Sequence, residues 1–147
     1  MKKQLIFRGL TLSIILIFLV SCQPDENDDN LNDDVRDNLV KTWQCDENSQ
    51  IYSKSTMTIY TVDIQKDDSS QDDILIYNFY NLGNEYYVKA SLSGSELKII
   101  QQEISGHTVN GTGIITNNFK RIDWQYYVDD GSGIDIDTVT AVYIPVN

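Results

Sequence analysis

The chain has 147 residues, with 22 acidic side chains against 11 basic ones, a formal net charge of −11 and a single histidine. That excess of negative charge repels nucleic acid and anionic lipid surfaces, and no basic patch with interleaved aromatics offsets it. One histidine excludes three-histidine and HExxH zinc sites, and the length suits one domain behind a leader.

Lys2, Lys3 and Arg8 precede an apolar run, Leu10 to Val20, interrupted only by Thr11 and Ser13. A membrane-spanning helix needs about 20 apolar residues, roughly twice this run, so the segment reads as the core of an export signal rather than a permanent span. The segment Leu19-Val20-Ser21-Cys22 resembles the lipobox of bacterial lipoproteins. That resemblance implies a signal peptide over residues 1–21, cleavage before Cys22, lipid on the Cys22 sulfur and acylation (palmitate or a similar chain) of the new amino terminus. Several acyl chains anchor firmly where one does not, so the expected partner of this end is a membrane.

Residues 22–37 carry Asp25, Glu26, Asp28, Asp29, Asp33, Asp34 and Asp37 against Arg36 alone, with almost nothing to bury. Such a segment is expected to be a solvated, disordered tether. The acids directly behind Cys22 also resemble the surface-export signal of Bacteroidetes lipoproteins, which implies an outer-membrane, surface-exposed location; a plain hydrophilic spacer is the alternative. Losing the signal removes Lys2, Lys3 and Arg8 and no acid, which takes the net charge from −11 to −14. With Cys22 lipidated, Cys45 has no disulfide partner and reads as a small buried hydrophobe.

The domain is expected over residues 38–147. A turn over Val35 to Lys41 leads into alternating β-branched, aromatic and polar residues, which predict strands near 42–48, 56–65, 73–80, 86–92, 96–103, 108–117, 119–128 and 135–145. The links between them are short and rich in Gly, Asn and Asp, as tight reversals require. Ile122, Trp124, Tyr126 and Val128 share one face of the seventh strand, Tyr86, Val88, Ala90 and Leu92 one face of the fourth, and Tyr60, Val62 and Ile64 one face of the second. Leu75, Tyr77 and Phe79 are expected on the inner face of the third, with Ile74 and Ile76 opposite. Eight strands joined by short links predict an all-β, eight-stranded antiparallel up-and-down barrel, since closure removes the exposed edges. An immunoglobulin-like sandwich is the alternative, but its Cys…Trp…Cys spacing is absent.

Leu39-Val40-Lys41-Thr42-Trp43, with the segments YTVDI, ILIYNFYNLG, VKASLSGSELKI, VNGTGII and IDWQYYVDDGSGIDIDTVTAVY, is similar to the small lipocalin-like (calycin-like) lipoproteins of Bacteroidetes. The similarity covers most of residues 39–147 and implies a lipocalin-like barrel. Trp43 matches the tryptophan of the lipocalin Gly-x-Trp, while Lys41 stands at the glycine, and no arginine lies in the last strand.

Catalytic constellations are lacking. His107 follows Gly106 beside a turn, where an exposed histidine is the ordinary outcome, and no G-x-S-x-G supports it as a base. Gly111-Thr112-Gly113 lies inside a strand and is no phosphate loop; alternate glycines there make room for bulky neighbours. The Asp129–Asp137 loop matches no calcium motif and reads as a hairpin turn. No enzyme activity, metal or cofactor is expected. The expected function is binding of a small apolar or glycan ligand inside the barrel, lined by Trp43, Tyr77, Phe79, Trp124 and Tyr126. The alternative is a packed barrel that docks to an envelope protein or inhibits an enzyme, with Ile74 and Ile76 on its outer face. Tyr87 and Tyr127 are expected to face solvent.

Overall fold

The computed structural model describes residues 34–51 and 58–147. The expected signal, Cys22 and the tether as far as residue 33 lie outside the described residues, as does the connection 52–57. A 3-10 turn, η1 (Val35–Asn38), leads into β1 (Lys41–Ser49), β2 (Thr58–Lys66), β3 (Asp73–Tyr77), β4 (Tyr87–Ser93), β5 (Glu96–Ile104), β6 (His107–Thr116), β7 (Arg121–Asp129) and β8 (Asp137–Pro145). A second 3-10 turn, η2 (Phe79–Asn81), lies between β3 and β4. Every strand pairs antiparallel with its sequence neighbours, and β8 returns to β1, so the sheet closes as an eight-stranded up-and-down barrel. Among the described residues no helix is long and apolar enough to cross a membrane.

Alternation along each strand decides what points inward. Trp43, Cys45, Glu47 and Ser49 of β1, Val62 and Ile64 of β2, Ile122, Trp124, Tyr126 and Val128 of β7, and Val139, Ala141 and Tyr143 of β8 are all buried. An eight-stranded barrel is just wide enough for such side chains to fill it. Burying each large apolar side chain stabilises the fold by roughly 1.5–3 kcal/mol relative to exposure. Gly113 and Gly111 of β6 face Trp124 and Tyr126 across the pair with β7. A Cβ at Gly113 would stand 2.7 Å from the Trp124 ring, and one at Gly111 2.4 Å from the Tyr126 Cβ. The alternate glycines therefore make room for the two largest rings on the adjoining strand.

The third strand differs from its expected phase. Ile74 and Ile76 are fully buried, and Leu75 and Tyr77 stand on the outer side. Asn78, Tyr80 and Asn81 adopt left-handed backbone (φ of 58°, 56° and 55°), which ends the strand at Tyr77 and breaks the alternation. Phe79 still reaches the core, but through η2 rather than as the next inward residue of a strand. Tyr86, expected inside, precedes β4 and is exposed, while Val88 and Ala90 point in as expected.

The chain enters the barrel at the end formed by the links 67–72, 94–95 and 117–120, here called the base. The expected tether loses its last residues to the fold there. Arg36 is nearly buried; its Nη1 donates to the carbonyls of Asp67, Ser70 and Asp73 at 3.3, 2.6 and 2.9 Å. Its Nε and Nη2 are held by the Asp34 carboxylate, at 2.9 and 2.7 Å. That guanidinium holds the Asp34 carboxyl far below the usual carboxylate range. Leu39 and Trp43 lie directly inside this plug, with the Trp43 indole N–H donating to the Leu39 carbonyl at 2.9 Å. Lys41 Nζ stands 5.4 Å from the Trp43 ring centre, so a cation covers the ring from the glycine position of the lipocalin pattern.

The wall is not uniform. Backbone pairing of β4 with β5 runs only over Ser91–Ser93 and Glu96–Lys98. Beyond it the Gln102 carboxamide spans the seam, accepting from the Lys89 N–H and donating to the Lys89 carbonyl, both at 2.8 Å. Beside this seam β5 bulges: Ile100 and Gln101 together oppose Asn110 of β6. A bulge of this kind bends the strand and re-aims its side chains.

Candidate functional site

The end opposite the base, formed by η2, the 105–106 turn and the 130–136 link, is the mouth. Its inner side is polar. Glu47, from β1, is only 6% exposed, and its Oε2 accepts from the hydroxyls of both Tyr60 and Tyr126. Burial pushes the Glu47 carboxyl above the ordinary carboxylate range, and the charge of nearby Asp137 adds to this. The two tyrosine donors work against this shift, because hydrogen bonds to a carboxylate favour its ionised form, but burial outweighs them. Desolvation likewise raises the Tyr60, Tyr126 and Tyr143 hydroxyls, so all three stay protonated.

Asp137, at the start of β8, is 2% exposed and ties the mouth together. One oxygen accepts from the Gln50 and Ile51 N–H groups at 2.9 and 3.1 Å, the other from Ser49 Oγ and from the Tyr80 hydroxyl at 2.8 Å. The end of β1, the start of β8 and η2 thus meet on one carboxylate. Above it lies a hollow of about 170 Å³, walled by Tyr80, Ile51, Val128 and Ile134 and edged by Asp130, Ser132 and Asp135. His107 stands beside it, half-buried, with its ring 6.1 Å from that of Tyr80 and Nδ1 3.0 Å from the Ser105 carbonyl.

Nothing in composition or motif marks Glu47 among the acids of the sequence, and Asp137 enters only as the end of the Asp129–Asp137 loop. The signal was present in the phase: Glu47 continues the inward series from Trp43 and Cys45, and Asp137 begins the series that runs to Val139, Ala141 and Tyr143.

Of the five aromatics expected to line a ligand, Trp43, Phe79, Trp124 and Tyr126 face the interior, and none of the five borders the hollow at the mouth. Phe79 packs against Tyr126 and Trp124 at ring separations of 4.6 and 6.4 Å, and Trp124 against Tyr143 at 5.7 Å. These side chains belong to one buried hydrophobic cluster inside the barrel. Tyr77 is the exception; it lies on the outer wall against Tyr87, 5.2 Å away. Ile74 and Ile76, expected on an outer apolar face, belong to the core. Trp124 Nε1 and the Tyr143 hydroxyl have no hydrogen-bond partner among the described residues. Cys45, opposite Tyr143 across β1 and β8, is sealed, and burial pushes its thiol up to about 12, which removes it as a nucleophile. Among the described residues no three His, Cys, Asp or Glu side chains are grouped to hold a metal ion.

Comparison with known proteins adds little to this geometry. No family model matches the chain, and no curated protein does. A crystal structure from Bacteroides ovatus, of unknown function, is similar with a TM-score of 0.47 and 13% identity over 71% of this chain. The chain spans only 41% of that protein's length.

Proposed function

We propose that the protein is a lipid-anchored lipoprotein of the outer membrane, exposed at the cell surface, with a non-enzymatic binding role seated at the mouth of its barrel. The observation that supports this most is the position of the hollow beside Tyr80 and Asp137, at the end opposite the one where Arg36 brings the chain in. The chain that leads back to Cys22 enters at the base, so the mouth is not the end that the tether joins. At about 170 Å³ the hollow suits a small ligand or one side chain of a partner. Ile51, Val128 and Ile134 offer it an apolar wall, and Tyr80, Ser132 and the rim carboxylates offer hydrogen bonds. The non-enzymatic reading draws support from the sealed Cys45 thiol and from the engagement of His107 Nδ1 with Ser105.

A second reading is an accessory protein with a packed barrel and no small ligand, which docks to an envelope partner. The close packing of Trp43, Phe79, Trp124 and Tyr126 favours it. Calorimetry of the mature chain carrying Cys22→Ser, against small amphiphiles and monosaccharides, separates the two. The mouth reading expects a heat of binding that Ile134→Trp, which fills the hollow from its loop, abolishes. No heat with any compound would leave only the accessory reading. The anchor is tested separately in the natural host: labelled palmitate should enter the full chain and not the Cys22→Ala variant.

A further inference from the structure

We propose a second binding site, on the outer wall around the β5 bulge, for a neutral oligosaccharide. It is distinct from the mouth and does not rest on any ligand there. Three open grooves, of about 420, 340 and 290 Å³, meet at the bulge, and Gln101 lines all of them. Tyr127 and Tyr87, 39% and 45% exposed, flank the surface, and Ile100, 67% exposed, rises between them. β4 and β7 are three strand spacings apart around the wall, roughly 14 Å, which gives the surface the length of a chain rather than of a single ring.

The open chemistry between these pillars is neutral and polar. The carboxamides of Gln101, Asn110 and Gln125 line the grooves and make no hydrogen bond among the described residues. Each presents two donors and an acceptor, the complement of a hydroxyl-rich chain. Aromatic faces beside them suit the C–H faces of sugar rings. The charges nearby are mostly engaged: Lys89 pairs with Asp67 at 2.5 Å, and Asp129 accepts the Gly131 N–H at 2.8 Å. Lys98 and Asp73 are opposite charges on the lining and form no ion pair among the described residues, and the net charge of −11 works against polyanions. The apolar groups are separated by carboxamides and form no continuous centre of the kind a protein interface buries. The grooves are open along the wall rather than enclosed.

The test uses the whole mature chain with Cys22→Ser, titrated by calorimetry with cellohexaose, maltoheptaose and mannohexaose, and with hexagalacturonate as the charged comparator. At least one neutral chain should bind, and more tightly than hexagalacturonate. Tyr127→Ala and Gln101→Ala should each weaken it, the former by about tenfold. Both side chains point outward, so unchanged melting temperatures verify that the fold is intact. Ile134→Trp at the mouth should leave this binding unaltered, so failure at one site is distinguishable from failure at the other. Absence of binding by every neutral chain at millimolar concentration would overturn the proposal. So would binding that Tyr127→Ala and Gln101→Ala leave intact, or a preference for hexagalacturonate.

Discussion

At the base of the barrel, a guanidinium shared among three carbonyls and a tryptophan beneath it close the structure with matched groups. At the mouth, two buried carboxyls are surrounded by tyrosine and serine hydroxyls, next to a small hollow. The same eight strands serve both ends, so the difference lies in a few inward positions. β1 passes from Trp43 through Cys45 to Glu47 and Ser49, from apolar to polar in one strand, and β8 repeats the gradient from Tyr143 to Asp137. Stability is concentrated where the chain enters, and adaptable chemistry is kept where it does not. The outer aromatic grooves belong to neither end, and they owe their existence to an irregularity in the wall.

The contrast can be broken from either side. Trp43→Ala, at the base, should be the most damaging change, costing about 3–5 kcal/mol through lost burial and a cavity that the plug prevents from collapsing. Urea denaturation measures it, and a loss below that of an ordinary surface substitution would contradict the assignment of the base as the stable end. Arg36→Ala should cost less, about 1.5–3 kcal/mol, because charge-assisted bonds to the three carbonyls and to Asp34 are lost together. It should also loosen the 67–72 link, read as faster hydrogen exchange of its amides.

Glu47→Gln, at the mouth, should have the smallest effect in acid, below about 1 kcal/mol, because Oε1 of the amide can accept both tyrosine hydroxyls. Its signature is in pH. The folded state holds the Glu47 proton more tightly than the unfolded chain, so this group's contribution is complete below the ordinary carboxylate value of about 4.3 and fades as pH rises through the elevated folded value. At the base the sign is reversed. Asp34 and Asp67 are depressed by Arg36 and Lys89, and their contribution is present above about 3.9 and fades as pH falls. Stability measured against pH should therefore fall on the alkaline side in the natural protein and less steeply in Glu47→Gln. Parallel curves would mean that Glu47 is ionised in the fold.

Strand positions were legible in the sequence because a half-buried strand writes its period into its residues. The seventh strand, with Ile122, Trp124, Tyr126 and Val128 inside, lies as read, and so do the alternate glycines that face it. The reading failed where the backbone leaves the extended region. No alternation can be carried back from Phe79 through left-handed Asn78, so Tyr77 stands on the outer wall although Phe79 is inside. The buried carboxyls were missed for another reason: in a chain with 22 acids, composition argues for solvent at each of them, and only strand phase argues otherwise. Gln102 left no sequence signal, since a carboxamide that replaces a backbone pair depends on a seam that only the closed barrel creates.

The Arg36 plug also settles how the domain carries load. Tension applied at Asp34 reaches the guanidinium before it reaches β1, and passes from there into the carbonyls of the 67–72 link and of Asp73. The first strand cannot be peeled from its neighbours until those bonds have given way. A barrel held by its N-terminal end is thereby gripped at a clasp rather than at a loose thread.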